Sequence, residues 1–176
     1  GCSALTSFPS DALLGTEANN VNFTSAFESS GLTSFSTPLP TATSVNTAWR
    51  FCSNLTSFNS DLSSVTDVRS AWRATGLTSF STPIPKAANV FIAFFDCTAL
   101  TDFSADVFAN WNPSSLASGV FHLTWNGCTS LTAQSVENIL TSIDASGHYA
   151  TTNKVSDGPA LADAGIDIDY NVATGS

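Results

Sequence analysis

Residues 31–40 read Gly-Leu-Thr-Ser-Phe-Ser-Thr-Pro-Leu-Pro, and residues 76–85 repeat them with a single change, from Leu39 to Ile84. The central string Leu-Thr-Ser-Phe occurs four times and is followed by two related strings; the six begin at Leu5, Leu32, Leu55, Leu77, Leu100 and Leu131. These starts are 27, 23, 22, 23 and 31 residues apart. An apolar pair that returns at this period predicts a solenoid, in which each turn buries its apolar side only against the next turn.

A second recurring block lies just upstream of each repeat leucine. The longer of these blocks have the pattern aromatic-x-x-Cys-x-x-Leu-x-x-Phe, as in Trp49-Arg-Phe-Cys-Ser-Asn-Leu55. Steps of three and four residues place the aromatic, cysteine and leucine side chains on one side of a short helical turn. Leu-x-x-Phe then predicts the entry to a short strand, and the stretch rich in Ser, Thr and Pro that follows predicts a loop.

These blocks resemble the BspA-type leucine-rich repeats of bacterial surface proteins, and they are similar to repeat arrays of phage tail-fibre and other virion proteins. The resemblance covers residues 2–147 and includes the closing segment Leu131-Thr-Ala-Gln-Ser-Val-Glu-Asn-Ile-Leu140. It implies an α/β repeat solenoid with parallel strands and short helical turns, used for adhesion or assembly. The resemblance supplies no catalytic residues.

The repeats divide the chain into a leucine-rich-repeat-like solenoid of about five turns, residues 1–130, and a C-terminal capping region, residues 131–176. Apolar residues recur at helical steps at the start of the cap: Val136, Ile139, Leu140 and Ile143. They predict a helix over residues 134–143, with Thr132 or Ser135 as its N-cap and Gly147 at its end. A strand is predicted from later alternation, at Ile166, Ile168 and Tyr170.

The two longest units contain extra residues, which we expect to bulge as loops at residues 13–21 and 108–118. The N-terminal side of the solenoid has no equivalent of the C-terminal cap. An unpaired strand with Leu and Phe beneath it is a sticky edge. We therefore expect further repeats, another subunit or another protein to cover this N-terminal edge.

Acidic residues outnumber basic residues 14 to 5, and the formal net charge is −9 although only 11% of residues are charged. This balance argues against a nucleic-acid partner, because phosphate neutralisation needs clustered Lys and Arg. No apolar run reaches the ~20 residues of a membrane span, so we expect no membrane insertion. Low charge with abundant Ser and Thr favours an extracellular or virion-surface location; the plainer interpretation is an acidic protein kept dispersed by its charge.

Four cysteines lie three residues before a repeat leucine: Cys2, Cys52, Cys97 and Cys128. The first three are separated by two turns each, or ~9–10 Å, which exceeds the ~7 Å limit between Cα atoms for a disulfide. Cys97 and Cys128 are one turn apart, but their side chains should run parallel. Buried free thiols are the main interpretation, with a Cys97–Cys128 disulfide or a metal site as alternatives.

The residues between Leu and Phe should face outward and form a file of threonines, which is the candidate binding face: Thr6, Thr33, Thr56, Thr78, Thr101 and Thr132. A file of serines, Ser7, Ser34, Ser57 and Ser79, lies beside it and continues to Asp102. The conservative interpretation is solubility together with the β-propensity of Thr. Contact with a glycan or host surface is the functional interpretation, and regular Thr files also occur in ice-binding solenoids.

Five aromatic residues fall outside the repeat register and are candidates for a contact surface: Phe51, Phe91, Phe95, Trp111 and Phe121. Exposed aromatic side chains at a regular edge are typical of interfaces. The alternative is that some of them pack between turns. The repeat aromatics themselves should form the core.

No motif in the chain indicates an enzyme. His122 and His148 are isolated, and the sequence has no Gly-rich phosphate loop and no His cluster with metal spacing. Asp167-x-Asp169-x-Asn171 could suggest calcium, but the Gly and Glu of a calcium loop are missing, so carboxylates on the wet face of a strand explain it better. We predict no catalytic residues, no metal and no cofactor.

Three functions remain as hypotheses. The first is an adhesive or receptor-binding module of a phage fibre or bacterial surface protein, with a host glycan or protein as ligand. The second is a structural element of a virion or extracellular filament, including a capsid-decorating protein, which contacts copies of itself or a shell protein. The third, which we favour least, is an enzyme on a repeat scaffold. We favour a structural protein with a recognition role.

Overall fold

The computed structural model describes residues 2–12, 21–115, 117 and 120–146. Within them lie six short strands: β1 (Val21–Asn22), β2 (Ser34–Phe35), β3 (Ala42–Ser44), β4 (Ser57–Phe58), β5 (Ser79–Phe80) and β6 (Asp102–Phe103). A 3-10 turn, Ala105–Val107, and the helix α1, Ala133–Ala145, follow. The strands pair in parallel, β1 with β3, β2 with β4 and β5 with β6.

The β2–β4 and β5–β6 pairs each join the same position of two consecutive units. In β2 and β4, Phe35 lies opposite Phe58, and β5 pairs with β6 in the same register. A backbone hydrogen bond extends this order to the first unit, since the Thr33 N–H donates to the Thr6 carbonyl at 3.3 Å. Strands are present at four of the five Leu-x-x-Phe strings, those that begin at Leu32, Leu55, Leu77 and Leu100, and they occupy the last two residues of each; residues 5–8 form no strand.

A second line of parallel contacts runs through the middle of the units. It includes the β1–β3 pair, whose register shifts between Val21 and Asn22. It continues through single bridges from Ser44 to Asp67 and from Asp67 to Asn89. The first line is interrupted between β4 and β5, which do not pair, and there the second line joins the two units through the bridge from Asp67 to Asn89.

Five turn segments carry the aromatic blocks of the described chain: residues 23–30, 45–52, 68–75, 90–97 and 121–128. In the first four, backbone N–H groups bond alternately to the next segment and within their own. The Phe27 N–H donates to the Ala48 carbonyl at 2.9 Å, and the Ser30 N–H donates back to the Phe27 carbonyl at 3.0 Å. This alternation supplies an acceptor to each donor in turn and so allows the segment to be buried.

The turn segments are not the helical turns that the three- and four-residue steps predicted. Two residues in each segment have positive φ, at the same two positions every time: Ser25 and Ser29, Thr47 and Phe51, Ser70 and Ala74, Ile92 and Asp96, and Leu123 and Gly127. This conformation is unfavourable for residues with a Cβ atom. In the first four segments the N–H groups of these residues donate to the next segment, and those bonds offset the cost.

The core consists of columns, by which we mean equivalent side chains of consecutive units in contact. One column stacks repeat phenylalanines with ring centroids 5.7–5.9 Å apart: Phe8, Phe35, Phe58, Phe80 and Phe103. A second stacks the aromatic residues of the turn segments 5.0–6.4 Å apart: Phe27, Trp49, Trp72, Phe94 and Trp125. The two columns meet edge to face, a favourable aromatic geometry, as between Trp49 and Phe58 at 4.7 Å.

Two glycines explain the longer period of 45 residues that separates Gly31 from Gly76. A Cβ atom on Gly31 would lie 2.3 Å from the Ser3 carbonyl oxygen, and one on Gly76 would lie equally close to the Ser53 carbonyl oxygen. Real Cβ atoms do not approach backbone this closely, so only glycine fits at these two positions. From Leu5 to Leu100 the units therefore alternate between a form with a cysteine and a form with this close approach, and the unit of Leu131 again has a cysteine.

The cysteines are free thiols; Cys2 is exposed, and Cys52, Cys97 and Cys128 are buried. The Cys52 thiol donates to the Phe27 carbonyl at 3.0 Å and lies 3.2 Å from the Ser30 hydroxyl. Ser30 and Thr75 occupy the equivalent position in their own turn segments, so cysteine stands at every second turn as far as Cys97, and Cys128 follows in the next turn. The structure contains neither the Cys97–Cys128 disulfide nor a metal-binding group of cysteines among the described residues.

In the second long unit, residues 105–113 pack inward instead of bulging as a loop. The 3-10 turn at Ala105–Val107 leads to Phe108, which is buried, and the Trp111 Nε1–H donates to the Ala87 carbonyl at 2.7 Å. The extra residues therefore add to the core, because their aromatic side chains cover the column of repeat rings. Most of the first predicted loop, residues 13–20, lies outside the described residues, and Val21 begins β1.

Helix α1 confirms the helix predicted over residues 134–143. Thr132 is its N-cap, with a side chain that accepts from the Ser135 N–H. The helix packs on β6, where the Ser135 hydroxyl accepts from the Phe103 N–H at 2.9 Å and the Asn138 amide donates to the Phe103 carbonyl at 2.9 Å. These bonds occupy backbone groups that a next strand would otherwise use. Gly147 and the strand predicted at residues 166–170 lie outside the described residues.

Candidate binding surfaces

The structure places the whole predicted threonine file on the surface. Every one of its members is exposed: Thr6, Thr33, Thr56, Thr78, Thr101 and Thr132. Three of the hydroxyls already have structural bonds. Thr56 and Thr101 donate to the carbonyls of Thr33 and Thr78 at 3.3 and 3.0 Å, and Thr132 caps α1. Part of the file thus supports contacts between units.

The serine file is also exposed beside the threonines, and it continues to Asp102 in β6. Together the two files form what we call the Thr/Ser face. The face presents one Thr and one Ser hydroxyl group in each of several consecutive units, and Asp102 adds a single carboxylate. Such a surface can donate and accept hydrogen bonds over several units, but it holds no cluster of charge.

Three of the five predicted contact aromatics lie on the outer side of the turn segments. Phe51 is 46% exposed and is the one exposed large apolar side chain of the described residues. Phe91 and Phe95 are partly exposed. The prediction is wrong for Trp111 and Phe121, which are 1% and 0% exposed. Both belong to the inward-packed second long unit and its turn segment, and their rings lie 5.2 Å apart in the core.

Sequence analysis missed the arginines that accompany these aromatics. Arg50 and Arg73 both place their guanidinium carbons over the Phe51 ring, 5.1 and 5.7 Å from its centre. Arg73 also lies over the Phe95 ring, at 4.9 Å. The missed signal was the repeat period itself, since Glu28, Arg50, Arg73 and Phe95 are spaced by 22, 23 and 22 residues and therefore form one column.

Arg50 has an acidic partner within this column. Its Nε donates to Glu28 Oε1 at 2.9 Å, and its terminal nitrogen contacts the same oxygen. These hydrogen bonds from Arg50 hold the pKa of Glu28 below its ordinary value, because they favour the ionised carboxylate. The charge of Arg50 is therefore compensated inside the molecule.

Arg73 occupies the same position one segment later, but its neighbour in the preceding segment is Arg50. Its Nε is buried without a hydrogen-bond partner. The single ion pair among the described residues is that of Arg50 with Glu28, so Arg73 has no acidic partner there. We call Arg50, Phe51, Arg73 and Phe95 the Arg–Phe patch. Phe91 stacks on His122 at 5.6 Å in the neighbouring column.

Three of the four thiols, Cys52, Cys97 and Cys128, are buried. The hydrogen bond with Cys97, together with burial, raises the pKa of Cys128 and keeps its thiol protonated. The part of the chain that the structure describes contains no group of three His, Cys, Asp or Glu side chains able to hold a metal ion. Likewise, none of the described helices has the length and apolar character needed to cross a membrane.

Comparison with protein-family models, with curated proteins and with solved structures gave no match to this chain. The resemblance to BspA-type and virion repeats therefore stays a prediction from the residues. Arguments about function rest on the two surfaces and on the order of the units.

Proposed function

We propose that the chain is a leucine-rich-repeat-like solenoid that serves as a non-enzymatic recognition or structural module on a phage virion or bacterial cell surface. The observation that carries the proposal is the strand register, in which Phe35 lies opposite Phe58 and Phe80 opposite Phe103, each one unit apart. Units ordered in this way build long, regular surfaces, which suit recognition and assembly better than a concave catalytic centre. The proposal assigns no catalytic residue and no cofactor.

The Thr/Ser face supports the recognition role. It is exposed along several units, and Ser34 and Ser57 lie directly opposite each other on paired strands. Hydroxyl groups at this spacing can bond to the hydroxyls of a surface glycan, and their orientation is fixed by the sheet. A host-surface glycan is the ligand we propose for this face, with a surface protein as the alternative.

A glycan array probed with the labelled chain tests this role. Ser34→Lys and Ser57→Lys place a long charged side chain on the face, and Ala109→Lys places one at an exposed position away from it. We expect the two face variants to lose glycan binding and the Ala109 variant to keep it. Equal binding by all three variants, or none by the native chain, would argue against recognition through this face.

A filament or other assembly is the second candidate, and the N-terminal edge favours it. Leu5 and Phe8 are only half-buried there, whereas their equivalents in later units are buried. In the first turn segment, the carbonyls of Thr24, Ala26 and Glu28 accept no hydrogen bond from any described residue. We propose that further repeats, a protein partner or another copy of the chain covers this N-terminal edge.

Sedimentation velocity over a range of concentrations tests this assembly role. We expect the native chain to associate, and we expect Phe8→Lys to weaken association because it places a charge on the N-terminal edge. Ala109→Lys adds the same charge elsewhere and serves as the control. A native chain that stays monomeric at high concentration would contradict self-assembly and leave a foreign partner for the edge.

A further inference from the structure

We propose that the Arg–Phe patch is a docking site for a protein segment that carries carboxylate side chains beside apolar ones. The inference deepens the proposed recognition role and rests on it, but it concerns a different surface from the Thr/Ser face. It depends on the contacts of Arg50, Phe51, Arg73 and Phe95, and these lie within three consecutive turn segments.

Arg73 is the cation at the centre of the patch. The rings of Phe51 and Phe95 hold its guanidinium group at 5.7 and 4.9 Å from their centres. The Nε atom of Arg73 is buried, so the protein covers this inner part of the guanidinium group. A ligand would therefore contact the two terminal nitrogens. Such a fixed fork is well suited to bind a carboxylate through two parallel hydrogen bonds.

Arg50 and Arg73 occupy equivalent positions in one column, so the anion bound by Arg50 indicates which kind of anion Arg73 could bind. Arg50, at the equivalent position, takes the carboxylate of Glu28 from the preceding segment. For Arg73, the equivalent position in the preceding segment is occupied by Arg50, which has the same positive charge. Asp96 is the acid next to Phe95 in sequence and forms no ion pair with Arg73 among the described contacts. An external carboxylate would supply to Arg73 what Glu28 supplies to Arg50.

The surroundings of Arg73 favour a partner with apolar side chains as well. Phe51 is 46% exposed. Next to the patch, Ile92 and Leu123 are partly exposed at the positive-φ positions of the last two turn segments. Aromatic residues and arginine are the residue types most enriched at protein interfaces. Removing this apolar surface from water would contribute affinity that a carboxylate contact alone lacks.

Charge also restricts the partner. Of the five basic residues in the chain, Arg50, Arg69 and Arg73 lie in two adjacent turn segments, while acids outnumber bases 14 to 5 overall. The basic side chains of the described residues are thus concentrated near the patch, where an acidic segment is attracted. Screening limits this attraction to about 8 Å at physiological salt, so the short-range contact with Arg73 decides the affinity.

An acidic sugar is the other source of carboxylates, and the geometry favours a protein over it. Sugars usually stack on a bare aromatic face, but the Phe51 ring already has the guanidinium groups of Arg50 and Arg73 over it. The partly exposed apolar side chains Ile92 and Leu123 are aliphatic. These match the side chains of a peptide better than the hydroxyl-rich faces of a sugar.

Selection from a displayed library of random linear peptides on the native chain tests the proposal. We expect the enriched peptides to contain Asp or Glu next to aromatic or aliphatic residues. Fluorescence anisotropy should show at least about tenfold weaker binding to Arg73→Gln, the scale of one lost charge-assisted contact. Replacing the peptide carboxylate by its amide should cause a similar loss, whereas Lys86→Gln, an exposed change of the same kind elsewhere, should cause none.

Phe51→Ser provides a second variant, because its side chain is exposed and its loss leaves the core intact. Circular dichroism confirms the fold of each variant. Enriched peptides without acids, or peptides that bind Arg73→Gln and Phe51→Ser as tightly as the native chain, overturn this site and leave the recognition role standing. Binding of oligogalacturonate at Arg73 without any acidic peptide, or self-association that Phe51→Ser abolishes, assigns the patch to a sugar or a second copy and overturns the proposal.

Discussion

Trp72 offers the sharpest test of the stacked core. It is fully buried, and four aromatic rings surround it: Trp49 at 5.9 Å, Phe94 at 5.0 Å, Phe58 at 5.2 Å and Phe80 at 4.7 Å. Truncation of a buried Trp to Ala costs about 3–5 kcal/mol, a range that already includes the lost contacts with neighbouring side chains. Because all four neighbours lose contacts together, we expect Trp72→Ala to cost about 5 kcal/mol.

Trp72→Phe is the matched variant, since Phe27 and Phe94 occupy the same column. It keeps the ring contacts and removes the Trp72 Nε1–H, which is buried without a partner. Leaving a donor unsatisfied costs about 1–3 kcal/mol, so its removal should offset much of the lost volume. We therefore expect Trp72→Phe to cost no more than about 1 kcal/mol.

Urea unfolding followed by circular dichroism measures these free energies of unfolding. Phe8→Ala is the second control, because Phe8 lies at the end of its column, half-buried, with ring neighbours on one side. We expect it to cost about 2 kcal/mol, below the range for a fully buried Phe. If Trp72→Ala costs no more than Phe8→Ala, the rings do not stabilise one another as the geometry indicates.

Three further predictions concern the backbone, an ion pair and the thiols. Gly76→Ala should cost about 3 kcal/mol in urea unfolding, because its Cβ meets the Ser53 carbonyl, whereas Ala99→Gly, in the alternate unit, should cost about 1 kcal/mol. The lowered pKa of Glu28 gives a stability that is present above its ordinary value of 4.5 and declines as pH falls through the lowered value. Glu28→Gln should remove that pH dependence and, since the pair is partly exposed, cost about 0.5 kcal/mol near neutral pH; an unchanged acid profile would contradict it. With a thiol reagent, Cys2 should react at once and the buried thiols Cys52, Cys97 and Cys128 only as the chain unfolds; a fast reaction of more than one thiol would rule out their burial.

The repeat columns could be predicted because each depends on a residue type that recurs at a fixed period. The Leu-x-x-Phe strings gave the buried leucines and the stacked phenylalanines, and the apolar steps after Thr132 gave α1 within two residues at each end. Both patterns report burial, which is the strongest signal that a single sequence contains.

The conformation of the turn segments could not be predicted, because it depends on bonds between units. Phe51, Ala74 and Asp96 have positive φ without the glycine that usually marks this conformation. Nothing local at these residues favours it; the hydrogen bonds to the next segment do. The burial of Trp111 and Phe121 could not be predicted either, because it depends on how an insertion folds back over the core.

The Arg–Phe patch could not be predicted from the net charge or from single aromatic residues, because it depends on which residues share one column. Alignment of the units on their aromatic positions would have placed Glu28, Arg50 and Arg73 in one column. Their sequence spacing alone still leaves open which side chain contacts which. The cation–ring distances, and the absence of an acid beside Arg73 among the described residues, required coordinates.

The one-way donation of N–H groups in the turn segments limits the symmetry of any assembly. Each of the first four segments donates toward the following one, and in the first segment no described residue donates to the oxygens of Thr24, Ala26 and Glu28. Two identical N-terminal edges related by a twofold axis would bring oxygen against oxygen along this stretch. A closed, isologous dimer cannot satisfy these groups, whereas head-to-tail contact with a chain that offers N–H groups can.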